Sequence, residues 1–407
     1  MTNSICVIGG GAAGLMAAGT AASFGMDVTV FESMPILGKK LAITGKGRCN
    51  VTNNCDIDTF LTNVTKNPRF LYSALNSLSP QSTITFFESL GVKLKTERGN
   101  RVFPVSDKAK DIVDALKNYS SGCRFIHHKV KKIERNSNND FVVSADKKYV
   151  FDKIIIATGG RSYPLTGSDG SGYQLAQSIG HTITELCPSL IPIESPSRVC
   201  ADLQGLSLKN VKISILDNNK KVLYQDFGEM MFAHFGVTGP VILSASAHIR
   251  DHDLKSLTLY IDLKPALDEK TLDQRLLTDF KKNTNKDFSN SLSDLLPSKL
   301  IDPFITMSNI DPRKKVNVIT KEERKIILDL LKAFPIPLCA FRPIEEAIIT
   351  SGGIPVKEIH PKTMESKICP GVFFAGEIID VDAYTGGFNL QIAFSTGYLA
   401  GKSAAES

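Results

Sequence analysis

The stretch Ser4-Ile5-Cys6-Val7-Ile8-Gly9-Gly10-Gly11-Ala12-Ala13-Gly14 decides how the rest of the chain is read. Residues 4–8 form an apolar run of strand length, as expected for a strand buried on both faces of a parallel sheet. Glycines follow at Gly9, Gly11 and Gly14. Small residues then predict a helix over 12–24, and a second apolar strand over 27–31 ends at Glu32. Strand, glycine turn, helix and strand make a βαβ unit with a right-handed crossover. The three glycines serve different ends. Gly9 permits the tight turn, Gly11 lets the backbone approach a diphosphate, and Gly14 allows close helix–strand packing. The exposed N–H groups at Ala12 and Ala13, together with the helix dipole, favour that diphosphate. Glu32 stands 18 residues after Gly14, where a carboxylate accepts ribose hydroxyls and repels a 2′-phosphate. Three spaced glycines alone are a weak signal; their place between strand and helix, with the acidic residue, predicts an ADP moiety.

This motif does not choose between NAD and FAD, and the far end of the chain must. Phe373-Phe374-Ala375-Gly376-Glu377 reads as a strand entering a turn, with Asp380 and Asp382 close behind. Gly386-Gly387-Phe388-Asn389-Leu390 then opens a last helix over about 388–403. A second glycine-rich helix N-terminus, far from the first, suits a long cofactor held along its length. At a flavin such an N-terminus faces the ring edge where negative charge develops on reduction. The strand ending Ile156-Ala157-Thr158-Gly159-Gly160 adds another backbone turn. The set predicts non-covalent FAD.

Further segments carry a family resemblance. They are Gly38-Lys39-Lys40 through Thr44-Gly45-Lys46-Gly47-Arg48-Cys49-Asn50; Arg101-Val102-Phe103-Pro104; Ser162-Tyr163-Pro164 with Thr166-Gly167-Ser168; Phe232 to Pro240; and Thr363-Met364-Glu365-Ser366-Lys367. With them the chain resembles the BaiN/RdsA-like, aminoacetone-oxidase-type FAD-binding oxidoreductases, over nearly its whole length. Thr44 and Thr238 stand where serine is expected, and each keeps a hydroxyl. The resemblance implies a discontinuous Rossmann-like FAD-binding domain (1–188 and 341–407), an incomplete β-barrel domain (189–265) and a small helical domain (266–340). It also implies flavin contacts from Lys40, from Thr44, Gly45, Arg48, Cys49 and Asn50, and from Gly387, Asn389 and Leu390. Val130, read as lying in a strand over 129–135, is a candidate for a backbone bond to adenine; the alternative is a plain core valine.

The texture of the chain agrees with an insertion. Single strands are predicted over 123–126, 140–145 and 149–157, and a helix after Ser106. Alternation at 206–216, with a slip between 208 and 211, predicts a half-exposed antiparallel strand. The pattern over 266–334 is helical, and Pro335 and Pro337 mark a junction.

Bulk numbers exclude several classes. No apolar run approaches the roughly 18 residues of a membrane span. Residues 1–4 carry no basic cluster and run straight into a strand, so no signal peptide is expected. Eight cysteines form no C-x-x-C and no Cys/His cluster, which argues against structural metal or a disulfide framework and fits a reducing, cytoplasmic setting. A net charge of +6 in 407 residues, with acids and bases interleaved over 266–335, is no nucleic-acid stripe.

The expected activity is oxidoreduction between FAD and a small organic substrate or NAD(P)H, the latter docking transiently because no second strand–glycine–helix unit exists. Two alternatives are an amine or aminoketone oxidase releasing peroxide, and a non-redox or tRNA-modifying flavoprotein. Candidate catalytic groups are few: His234 as acid or base, and Arg101 and Tyr163, with Arg48, for an anionic or carbonyl-bearing substrate. Cys49, with no resolving cysteine nearby in sequence, reads as a buried thiol. Substrate identity and oligomeric state are beyond this sequence.

Overall fold

A computed structural model describes residues 4–407; residues 1–3, part of the non-basic lead-in noted above, lie outside the described residues. The chain divides into two compact units, one running to Ser189 and taking in Pro343–Ser407, the other Leu190–Arg342.

In the first unit, five parallel strands form one sheet in the order Val372–Phe374, Lys153–Ile156, Ser4–Ile8, Asp27–Phe31, Arg124–Ile126. Every neighbouring pair is parallel. The order runs outward from Ser4–Ile8 in both directions, the doubly wound arrangement predicted from the first thirty residues. The strand residues are apolar because helices cover the sheet: Ile5, Val7, Ile154 and Phe373 are fully buried.

Two helices lie together beside this sheet, Ala12–Ser23 and Phe388–Glu406. They touch backbone to backbone. A Cβ on Gly397 would stand 2.4 Å from the Ala13 carbonyl oxygen, and one on Gly401 2.3 Å from that of Ala17. The small residues in both helices let them pack side by side, with Ala13 in the first turn of one against Gly397 well inside the other, so the second N-terminus stands about 12 Å further along than the first.

The segment 149–157 is not one strand. Lys148–Phe151 belongs to a three-stranded antiparallel sheet with Lys132–Arg135 and Phe141–Ser144, whereas Lys153–Ile156 joins the parallel sheet. The chain turns at Asp152, whose carboxylate accepts from the Ser4 N–H at 2.7 Å and the Ser4 hydroxyl at 2.8 Å. Val130 precedes its strand rather than sitting in it. Ser106 does not cap: the helix is Ala109–Tyr119, with Lys108 at the N-cap, and the Ser106 hydroxyl is bonded to Asp111.

The second unit holds a seven-stranded antiparallel sheet whose two end strands, Phe334–Pro337 and Ala340–Phe341, are successive parts of one segment. Its longest strands, Ser207–Asp217 and Val222–Ala233, pair with a bulge between Leu208 and Val211, where the alternation slips. Helices Glu269–Lys282, Ser298–Ser308 and Lys321–Lys332 share one core with this sheet. Pro335 and Pro337 follow the helix Lys321–Lys332 as part of an edge strand, the place where a sheet tolerates a missing N–H.

Candidate flavin site

The first unit's strand order reverses at Ser4–Ile8 and Lys153–Ile156, and ligands of such sheets bind at the carboxyl ends beside that reversal. The glycine turn sits there. Gly9, at φ +109°, lies on the next strand: a Cβ would stand 2.4 Å from the Ala157 carbonyl oxygen. At Gly14 it would stand 1.8 Å from the Gly9 oxygen. At Gly11, by contrast, it would meet nothing within 4 Å. Gly9 and Gly14 therefore serve packing, while Gly11 lines open space. Helix Ala12–Ser23 begins at Gly11 with no side-chain cap, leaving first-turn N–H groups for a ligand.

Glu32 closes one side of this turn. Its Oε2 accepts from the Gly10 N–H at 2.8 Å and its Oε1 from the Met34 N–H at 2.7 Å. The carboxylate is thus held in place by backbone, and each oxygen keeps further acceptor capacity for ribose. Val130 is buried, and among the described residues no backbone bond engages its N–H or C=O. Gly376 donates to Thr396 Oγ1 at 2.9 Å, and a Cβ there would meet that of Ala13 at 2.8 Å. The turn after the fifth strand thus lies against the start of the first helix.

The loop at 44–50 reaches the last helix through its continuation. Gly387, at φ +99°, presses on Thr52, where a Cβ would stand 2.4 Å from the carbonyl oxygen. Asn53 Nδ2 donates to the Gly386 carbonyl at 3.1 Å. Gly387 caps helix Phe388–Glu406 without a side-chain hydrogen bond, so this N-terminus is open too. Within the loop, Gly45 packs near the Asn50 backbone and the Thr44 hydroxyl donates to Leu41. Cys49 is fully buried, and burial pushes its thiol up to about 12, so it is held neutral. Asn50 Oδ1 is buried with no hydrogen-bond partner among the described residues.

Several residues predicted to face the cofactor have their side chains committed elsewhere. Arg48 bonds Glu97 at 2.5 Å and Asp107 at 2.6 Å, with its guanidinium 4.2 Å over the Phe103 ring. Those bonds raise its pKa and lower those of both carboxyls, Glu97 chiefly through Arg48 and Asp107 first through Lys95. Lys40 bonds Glu377 and Ser162, both at 2.6 Å. Glu377 also accepts from the Ser162 hydroxyl at 2.9 Å and the Thr350 N–H at 2.8 Å. Gly160 packs against Thr350 and Glu377 because it has no side chain. These side chains build the wall that shapes the site. Asp380 pairs with Lys66 at 2.8 Å. Asn389 braces the loop before it, bonding the N–H and C=O of Ala383, and Leu390 packs into the neighbouring core.

Of the catalytic candidates, Arg101 pairs in register with Asn53 and donates to the Arg98 carbonyl. Tyr163 sits at φ +54° with Lys40 Nζ 6.0 Å from its ring centre. His234 lies in the second unit, exposed, in the turn between Val222–Ala233 and Gly236–Thr238 and edge-on to Phe235.

Sequence reasoning named Thr158 only as part of a backbone turn and Ser168 only within a resemblance segment, and gave neither hydroxyl a role. Thr158 Oγ1 and Ser168 Oγ are buried without hydrogen-bond partners among the described residues, and Ser168 lies against Gly159. Their signal was available: hydroxyl residues interleaved with glycines over 158–172. Open space at Gly11, two uncapped helix N-termini and the unpartnered atoms of Asn50 and Ser168 fit a long polar dinucleotide.

Fold and site thus define a Rossmann-like FAD-dependent oxidoreductase. The profile of the HI0933-like protein Rossmann domain matches residues 3–403, and the chain belongs to that family. It is 31% identical to a 3-dehydro-bile acid delta(4,6)-reductase of Clostridium scindens, over 99% of each chain. It is 28% identical to a ribosomal RNA dihydrouridine synthase of Haemophilus influenzae, over 96% of each. In fold it is similar to a 3-ketosteroid-delta4-(5alpha)-dehydrogenase from Rhodococcus jostii, with TM-score 0.54 and 15% identity, over 100% of this chain and 97% of that one. Among the described residues no cluster could hold a metal ion, and no helix is long and apolar enough to cross a membrane.

Proposed function

We propose that this protein is a FAD-dependent reductase that saturates a carbon–carbon double bond conjugated to a carbonyl, on a small organic substrate. The observation that carries the reading is the full-length match at 31% identity to a reductase of that description. The name dihydrouridine synthase, borne by the second relative, also describes saturation of a double bond beside a carbonyl. Bound FAD supplies a ring that accepts and returns hydride. The chain's contribution is to hold the diphosphate at Gly11 and the first helix, and to set a positive helix end at Gly387. The wall of Lys40, Glu377 and Ser162 fixes the turns on which cofactor and substrate rest. NADPH or NADH, docking transiently, is the proposed electron source, since residues 4–23 make the single strand–glycine–helix unit of this kind in the described chain.

An RNA substrate is a second reading, favoured by the dihydrouridine synthase relatives and opposed by the interleaved charges. The test is anaerobic. The purified yellow protein is mixed with NADH or NADPH and flavin bleaching is recorded. A 3-oxo-delta4,6 steroid or ribosomal RNA is then added. Reoxidation by the steroid supports the small-substrate reading, and reoxidation by RNA alone replaces it. Bleaching by aminoacetone, with peroxide on admitting air, would move the protein to the amine oxidases.

A further inference from the structure

Residues 163–170 cross the mouth of the ADP half of the site. Gly167 lies over Glu32: a Cβ there would stand 3.5 Å from Oε1 and 3.0 Å from Met34. The next residue, Ser168, is 5% exposed, and its hydroxyl lies 2.9 Å from where a Gly159 Cβ would be. That hydroxyl has no hydrogen-bond partner among the described residues. A buried, unpaired hydroxyl between the ribose-binding carboxylate and the glycine turn of the fourth strand points to a ligand that completes it.

The segment is held at its margins and not by a core. The Tyr163 N–H donates to the Glu345 carbonyl at 3.2 Å, and the Gly170 N–H to that of Gly160 at 3.1 Å. Between these, Lys39 Nζ donates to the Leu165 carbonyl at 2.6 Å, and Lys129 pairs with Asp169 at 2.5 Å. Leu165 itself is 85% exposed. Lys129 and Asp169 are each nearly half exposed, so their pairing is weak and salt-screened. The two ends are tied by backbone hydrogen bonds; the middle, a short turn with the Thr166 N–H on the Tyr163 carbonyl and the Gly167 N–H on that of Pro164, is tied to its surroundings by long lysine side chains.

We propose that residues 163–170 are a strap over the ADP half of the dinucleotide, that the Ser168 hydroxyl bonds the cofactor, and that Lys39 and the Lys129–Asp169 pair set how fast it enters and leaves. The proposal rests on the reading of the site as holding FAD.

The experiment measures FAD binding and release, not turnover. Release is followed by the rise of flavin fluorescence on diluting the holoprotein, and binding by quenching when FAD is returned to the stripped protein. Ser168→Ala is expected to weaken FAD binding by about fivefold, the loss of one hydrogen bond. Lys129→Met and Asp169→Asn are both expected to raise association and release rates by about threefold, with Kd nearly unchanged. The pair separates a strap from simple charge. If only the charge near the diphosphate mattered, Lys129→Met would loosen FAD and Asp169→Asn would tighten it. In wild type, 0.5 M salt should speed release, and in either anchor variant it should do so less. Opposite effects of the two anchor variants, or unchanged release in both, overturn the strap. Unchanged affinity in Ser168→Ala overturns the hydroxyl's role. A wild-type protein that binds no flavin overturns the FAD reading, and the strap with it; a yellow protein with unaltered rates overturns the strap alone.

Discussion

Alanine at two glycines of the first turn should separate folding from cofactor binding. Gly14→Ala drives a Cβ to 1.8 Å from a carbonyl oxygen, so it is expected to cost about 3 kcal/mol of stability in a denaturant titration. Gly11→Ala meets nothing, and its φ of −87° and ψ of −165° suit alanine. Stability of the stripped protein should therefore stay the same or rise by about 0.5 kcal/mol, while FAD affinity falls about tenfold or more. Equal loss of stability in both would refute the division of labour. Another residue-scale consequence concerns His181, buried between Glu358 at 2.9 Å and Ser366 at 2.7 Å. Burial lowers its pKa from 6.5, and the pull of Glu358 only partly opposes this. Its folded pKa lies below its unfolded one, so its contribution to stability is present above about pH 6.5 and lost as pH falls. The denaturant midpoint should drop between about pH 7 and pH 5.5, and His181→Asn should flatten that drop. Residue types were legible in the sequence, but partners were not. Arg48 and Lys40 read as flavin contacts because the resemblance implies it. Only the fold brings Glu97, Asp107 and Glu377 to them, from 49, 59 and 337 residues away.

At the scale of elements, the last helix is fixed by one buried amide. Gln391 Nε2 donates to the Leu78 carbonyl, Thr83 and Ser395, while its Oε1 accepts from Thr52 at 2.6 Å. Gln391→Leu keeps the volume and strands those partners, so a loss of about 2–4 kcal/mol is expected in unfolding titrations. Flavin content should fall with it, because the open N-terminus at Gly387 would lose its register. A stability change under about 1 kcal/mol would show that the network is dispensable. Elements with strong periodicity or clear stops were readable: the first two strands and the helix at 388. The single strand over 149–157 was misread, because nine apolar-rich residues do not reveal a turn at Asp152 that hands the chain between sheets.

At the scale of the molecule, each unit has its own core: Ile5, Ile155 and Phe373 in one, Phe232, Leu259 and Phe304 in the other. A ligand of the first unit should stabilise that unit alone. Calorimetry is expected to resolve two transitions. Saturating FAD should raise one by several degrees and leave the other within about a degree. A single transition that moves as a whole would show instead that the units unfold together. The doubly wound order was legible from the βαβ start; the sharing of one core by the antiparallel sheet and the helices of 266–334 was not, since neither pattern names its partner. The packing of the helices that follow Gly9 and Gly387 has a further consequence, in time. Roughly 380 residues separate them. At roughly 5–20 residues per second, a ribosome needs on the order of half a minute to pass from one to the other. During that interval the nascent chain exposes a glycine turn and small-residue helix whose partner has not yet been made. Flavin can be captured in full only after the helix beginning at Phe388 has emerged, so cofactor loading reports that synthesis has passed that point.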